Sequence, residues 1–227
     1  MKFRLALAAL LVALPAWAKD LRKPIPAPDY DPPNMAQTEV AVLAVGCFWG
    51  QQGLFAHVKG VSMVVAGYSG GLKSTATYKL VQAEWTGHAE SVEITFDPRV
   101  ISFGQLLQIY FSVAHDPTQL NRQDMDRGTS YRSEIFTANK RQDEIARAYI
   151  AQLEAARIFA RYNIATKVEP LKGFYDAEGY HQDYLFYNTG QPYIALNDLP
   201  KIWALKKVWP QYYRDRPVRF TGRRTDG

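Results

Sequence analysis

Residues 40–45 form a nearly continuous apolar run that stops at Gly46, and no other segment constrains the fold as strongly. So short and so apolar a run reads as a β-strand buried on both faces. Past Gly46, the placement of Phe48, Leu54 and Phe55 predicts a helix from Cys47 toward His57. Val61, Met63 and Val65 alternate, which predicts a second strand closed by the glycine-rich turn at 67–71. Val92, Ile94 and Phe96 alternate with Ser91, Glu93 and Thr95 in a half-buried strand, broken by Asp97-Pro98. Ser102 stands three residues before Gln105, a capping box opening a helix whose apolar face is Phe103, Leu106, Leu107 and Tyr110. Residues 131–137 read as a strand, and Ile145, Tyr149 and Leu153 mark one face of a long charged helix. A further strand is expected at 166–168, stopped by Pro170, with short helices at 180–187 and 202–209. Strands and helices mix without the strict alternation of a parallel α/β fold. The expectation is an α+β domain: a mixed or antiparallel sheet with helices packed on it.

The ends of the chain read differently. In residues 1–18, Lys2 and Arg4 precede an uncharged apolar run, and Ala16-Trp17-Ala18 follows it. That is the pattern of a cleavable signal peptide. The run is too short to span a bilayer, which takes about 20 residues. The expected location is therefore periplasmic or secreted, with no stable membrane insertion after leader cleavage. Residues 19–38 carry Pro24, Pro26, Pro28, Pro32 and Pro33 and read as an extended arm. The folded domain is expected over 39–213. A basic tail, 214–227, follows, with packing expected to end near Tyr213 and fraying beyond. The net charge of +5, two of it from Lys2 and Arg4, is too mild to imply a nucleic-acid partner. His57, His88, His115 and His181 show no paired spacing, so no metal site is expected.

Cys47 is the only cysteine. An exported chain with one cysteine forms no internal disulfide, which leaves either an inert buried thiol or a reactive one. Its position at the first turn of a helix favours a thiolate, because free backbone N–H groups and the helix dipole point there. Phe48 and Trp49, which follow, either fill core or line a pocket.

The neighbouring motifs bear on that choice. Gly46-Cys47-Phe48-Trp49-Gly50 resembles the GCFWG signature of the class A peptide-methionine (S)-S-oxide reductases. Gly67-Tyr68-Ser69-Gly70-Gly71, Thr77-Tyr78 and Thr86-Gly87-His88-Ala89-Glu90 resemble further motifs of that family. So do the stretches 115–123 and 126–133 and the block from Phe174 to Gln182. The resemblance runs in family order from about residue 40 to about 190. Four departures stand out. Gln82 occupies a place where many members have a cysteine, the C-terminal region has no cysteine, Val45 replaces a glycine and Ala76 a proline.

The resemblance implies a two-layer sandwich with a ferredoxin-like core, and a reductase of the S epimer of methionine sulfoxide, free or in proteins. Cys47 would be the nucleophile and would pass through a sulfenic acid. Glu90 would be the proton donor, and Tyr78 and Tyr131 would donate to the sulfoxide oxygen. Asp126 would hold the site or the substrate amine, Phe48 and Trp49 would form the methyl socket, and His181 would line the substrate site. His88, beside Glu90, would shape its loop. With no second cysteine, turnover needs an external thiol, a thioredoxin-like protein or a small thiol, and no bound cofactor. A thiol peroxidase or a non-catalytic module binding oxidised methionine are the alternatives. A cysteine protease is disfavoured, because the local signature expected around such a cysteine is absent.

Overall fold

The computed structural model describes residues 23–159 and 162–222. The leader expected at 1–18 lies outside these residues. In chain order the strands are β1 (Glu39–Val45), β2 (Val61–Ser69), β3 (Ala89–Phe96), β4 (Arg122–Gln123), β5 (Asp126–Arg127), β6 (Ser133–Thr137), β7 (Lys167–Pro170) and β8 (Phe174–Asp176). The α-helices are α1 (Phe48–Ala56), α2 (Tyr78–Val81), α3 (Phe103–Ile109), α4 (Lys140–Ala155), α5 (Tyr184–Tyr187) and α6 (Leu199–Val208). Six strands form one sheet in the order β7-β6-β1-β3-β2-β8, and β4 and β5 form a separate hairpin. Pairing is antiparallel throughout except between β6 and β7.

The apolar run thus becomes an interior strand, buried on both faces. The two faces are covered in different ways. Ala41, Leu43 and Val45 share a core with Phe55 of α1, Leu106 of α3, Ile145 and Tyr149 of α4 and Leu205 of α6. Burying each such leucine or phenylalanine contributes about 1.5–3 kcal/mol, which holds the helices to this face. On the other face Val42, Ala44, Ala89 and Phe136 are covered by Leu171 and Phe174, not by a helix. A mixed sheet with its helices on one side is the α+β architecture expected. The capping box is formed as read: Gln105 N–H donates to Ser102 Oγ at 3.1 Å, and Ser102 N–H donates to Gln105 Oε1 at 3.0 Å.

Several local expectations shift. A bulge between Val61 and Met63 breaks the alternation of β2, so Val61 and Val64 face the helices while Met63 does not. The glycine-rich segment is strand as far as Ser69. Gly67 belongs to β2, and a Cβ there would lie 2.4 Å from Tyr175 O, so only glycine lets β8 approach. Tyr131 closes a 3₁₀ turn before β6 instead of opening the strand. The helix expected at 180–187 is divided by Asp183, whose φ is +56°.

The two arms pack more closely than their composition suggests. Ile25 is buried, Tyr149 OH donates to Pro26 O at 2.6 Å, and Gly104 N–H donates to Asp31 Oδ1 at 3.2 Å. Among the described residues the packing continues past Tyr213, where the sequence predicted fraying. Arg214 N–H donates to His57 O at 2.8 Å, Val218 N–H to Ala56 O at 3.0 Å and Phe220 N–H to Asp183 Oδ2 at 3.1 Å. The Arg219 guanidinium lies 3.9 Å from the Phe186 ring centre. Charge density alone pointed to solvent, but the Arg219 guanidinium covers the Phe186 and Tyr187 rings and Arg214 Nη1 donates to Val61 O at 3.1 Å. Among the described residues no helix is long and apolar enough to cross a membrane.

Candidate active site

Where β1 ends, Gly46 turns the chain at φ +87°, and a Cβ there would strike the Gln123 side chain at 2.5 Å. The turn places Cys47 at the N-cap of α1 with its side chain 7% exposed. The helix start does supply a donor to the sulfur, the Trp49 backbone N–H. Burial outweighs it, and the nearby carboxyls of Glu90 and Asp198 add to burial, so the thiol is pushed well above its ordinary range. The expectation of a resting thiolate is therefore corrected: the helix dipole is the smaller effect at so buried a position, and Cys47 rests as a thiol.

Glu90 is the second residue of β3 and is 2% exposed. Phe48 N–H donates to its Oε2 at 3.1 Å and Gln82 Nε2 to its Oε1 at 3.0 Å. No ion pair reaches it among the described residues. Burial, with Asp126, Glu84 and Asp198 nearby, raises its pKa to about 8 against the pull of the Phe48 N–H. Glu90 is thus a protonated acid at neutral pH.

The phenols gather at the same place. Tyr78 opens α2, its backbone N–H anchored on Glu178 Oε1 at 2.9 Å. Burial and then the Glu90 charge raise its pKa to about 12. Tyr131 donates to Gln82 Oε1 at 3.0 Å, and burial likewise pushes it up. Both remain hydroxyl donors. Asp126, on β5, accepts from the Tyr193 hydroxyl, and burial raises its pKa.

The apolar wall centres on His181. Its ring lies 4.9 Å from Phe48, 4.5 Å from Tyr78 and 5.9 Å from Trp49, centre to centre. Trp49 Nε1 donates to His181 Nδ1 at 3.0 Å, which assigns the ring proton to Nε2. Burial lowers the His181 pKa, so the ring is neutral. Trp49 also stacks on Tyr184 at 3.9 Å and 16°. Phe48 is fully buried and Trp49 half-buried, so the first forms the floor of this wall and the second its open side. His88 does not join the chemistry. It accepts from Gly71 N–H at 3.2 Å and bonds Leu72 O at 3.0 Å, pinning the loop after β2.

Five neighbours of the site were given no role in it from sequence. Glu178 ties Tyr68 OH and Tyr78 N–H together, and Gln82 joins Glu90 to Tyr131. Glu178 lies inside a recognised motif block and could have been named. Tyr193, Asp198 and Lys201 sit in a segment without a motif, where the carboxyl of Asp198 presses on Gly50 and pairs with the buried Lys201 at 3.1 Å. Among the described residues no group of His, Cys, Asp and Glu could hold a metal ion.

A buried thiol, a protonated carboxyl, two phenolic donors and an aromatic wall can together protonate a small polar oxygen while a sulfur attacks the atom that bears it. Residues 39–213 match the family model described as peptide methionine sulfoxide reductase. The chain is similar to the peptide methionine sulfoxide reductase MsrA 2 of Mesorhizobium japonicum, 55% identical over 80% of this chain and 92% of that protein. It is 48% identical to the protein of the same description from Synechocystis, over 83% of this chain and 87% of that one. Among solved structures it resembles methionine sulfoxide reductase A of Corynebacterium diphtheriae, with TM-score 0.58 and 34% identity over 75% of this chain and 89% of that one. Reduced Mxr1 from Saccharomyces cerevisiae gives TM-score 0.60 at 32% identity over 71% and 91%.

Proposed function

The chain belongs to the peptide methionine sulfoxide reductase family and reduces methionine sulfoxide; from that premise we propose a one-cysteine route specific to the S epimer, free or in proteins. Cys47 attacks the sulfoxide sulfur while Glu90 passes its proton to the sulfoxide oxygen. The oxygen transfers to Cys47, methionine leaves, and the thiol proton refills Glu90. The balance is methionine sulfoxide plus a thiol giving methionine plus the Cys47 sulfenic acid. Tyr78 and Tyr131 donate to the oxygen, Phe48, Trp49 and His181 enclose the methyl group, and Asp126 holds the substrate's polar end. The observation that carries this reading is the uncharged, buried Glu90 bonded to the N–H of the residue that follows Cys47. The acid and the nucleophile are thereby fixed to one helix start.

With one cysteine in the chain, an external thiol must attack the sulfenic acid, releasing water, and a second thiol must then free Cys47 from the mixed disulfide. The reductant is a thioredoxin-like protein or a small thiol, no cofactor is held, and the leader at 1–18 directs the enzyme to the periplasm or outside the cell. Single-turnover reduction of the two sulfoxide epimers without reductant tests the route. About one methionine per enzyme is expected from the S epimer, with Cys47→Ser inactive. Methionine in excess of enzyme, or equal yields from both epimers, would overturn it.

A further inference from the structure

Gln82 follows α2 and has no part in the chemistry assigned above, yet it touches three of the groups that do. Its backbone N–H donates to Tyr78 O at 3.0 Å, its Nε2 donates to Glu90 Oε1 at 3.0 Å, and its Oε1 accepts from Tyr131 OH at 3.0 Å. The amide has one donor end and one acceptor end, and both are used. Phe48 N–H takes the second carboxyl oxygen of Glu90 at 3.1 Å. The titratable groups around Glu90 are Cys47 before α1, Tyr68 on β2, Tyr78 of α2, Glu84 after it, Asp126 on β5, Tyr131 before β6 and Asp198 before α6. All of them are neutral or acidic. When Glu90 gives up its proton, two N–H donors stabilise the buried carboxylate, and Gln82 is the one carried on a side chain.

We propose that Gln82 is a positioning residue of the reaction: it ties the Glu90 carboxyl to the Tyr131 phenol and stabilises the carboxylate that proton donation leaves behind. This rests on Glu90 being the acid. Without the amide the acid holds its proton more tightly, which slows oxygen protonation and leaves the aromatic wall that binds the methyl group unaltered. The Tyr131 proton, held by Gln82 Oε1 at rest, turns to the sulfoxide oxygen in the reaction.

The test is the pH dependence of single-turnover methionine formation by full-length wild type, Gln82→Met and Glu90→Gln, with substrate KM measured alongside. Methionine keeps the length of the side chain and removes both hydrogen bonds. The expected result for Gln82→Met is a rate lower by about 10- to 100-fold, an unchanged KM, and an alkaline midpoint moved up by about one unit. The midpoint is independent of how much protein folds, so a loss of folded enzyme does not mimic it. A Gln82→Met profile that overlays wild type while Glu90→Gln is slow would overturn the proposal and leave Glu90 as the acid. A Glu90→Gln enzyme as fast as wild type would remove both.

Discussion

Two buried polar clusters lie close to β1, and they are built on opposite terms. In the first, His115 Nδ1 bonds Tyr110 O at 3.0 Å and its Nε2 bonds Ser133 Oγ at 2.8 Å. Ser133 also meets Thr166 Oγ1 at 2.6 Å and Tyr110 OH at 2.9 Å, and Tyr110 OH reaches Ala44 O at 3.1 Å. Every polar side-chain atom there has a partner. In the second, around Cys47, atoms are left over. The buried side-chain atoms without partners among the described residues are Gln51 Oε1, Asp124 Oδ1, His181 Nε2 and Asp198 Oδ2. Gln51 is on the helix that Cys47 opens, Asp124 adjoins the Asp126 strand, His181 touches Phe48, and Asp198 presses on Gly50. A satisfied network rigidifies a fold, whereas buried polar atoms without a protein partner are where a bound molecule's polar groups can bond.

The contrast is broken first at Glu90. Glu90→Gln should slow single-turnover methionine formation by about 100-fold or more. The same change should stabilise the fold at neutral pH, because the folded chain keeps a proton that the unfolded chain releases. The sign follows from the raised pKa: the wild type loses stability as pH rises from 4.5 through about 8, and the variant does not. Melting curves of both proteins across that range check it, with the variant melting several degrees higher near pH 8. Enzyme rate runs the other way from an ordinary glutamate: it should hold below about 8 and fall as pH rises through that value.

His115→Leu probes the satisfied cluster and should behave in reverse. It leaves the buried Tyr110 carbonyl without its side-chain partner and takes one partner from Ser133 Oγ, and should cost about 2 kcal/mol or more in denaturant unfolding, with the rate per folded enzyme little changed. Burial lowers the His115 pKa from 6.5 to about 3. Its share of stability is therefore complete above 6.5 and lost as pH falls toward 3, a loss that His115→Leu should lack. The smallest effect belongs to the tail. Arg219→Ala should cost about 0.5–1 kcal/mol, since the guanidinium that lies over Phe186 is partly exposed. No change in melting there would mean that the tail rests on the domain without holding it.

Much of this was legible in the residues themselves. An unbroken apolar run, strict alternation in β3 and the Ser102–Gln105 box are local signals that packing had no reason to override. The bulge in β2 was not legible, because Val61, Met63 and Val65 alternate on paper whichever way the strand slips. Asp198 and Lys201, a charged pair one helical turn apart, lie in no motif, yet they are buried together at the site. The tail's charge density pointed to solvent, but residues 214–220 bond back to the domain. The resting protonation of Cys47 escaped because the helix dipole is visible in sequence, while the burial and the carboxyls that defeat it come from β3 and from the segment before α6. Gln82 showed only as a missing cysteine, and its partners had to be seen.

Mass analysis of Cys47 after one turnover without reductant tests the central claim most directly. Equimolar S-sulfoxide should leave the Cys47 peptide one oxygen atom heavier, trappable by a sulfenic-acid reagent, with an equal amount of methionine released. Methionine released with Cys47 unmodified would contradict it, because the oxygen would then have left by a route in which this thiol takes no part.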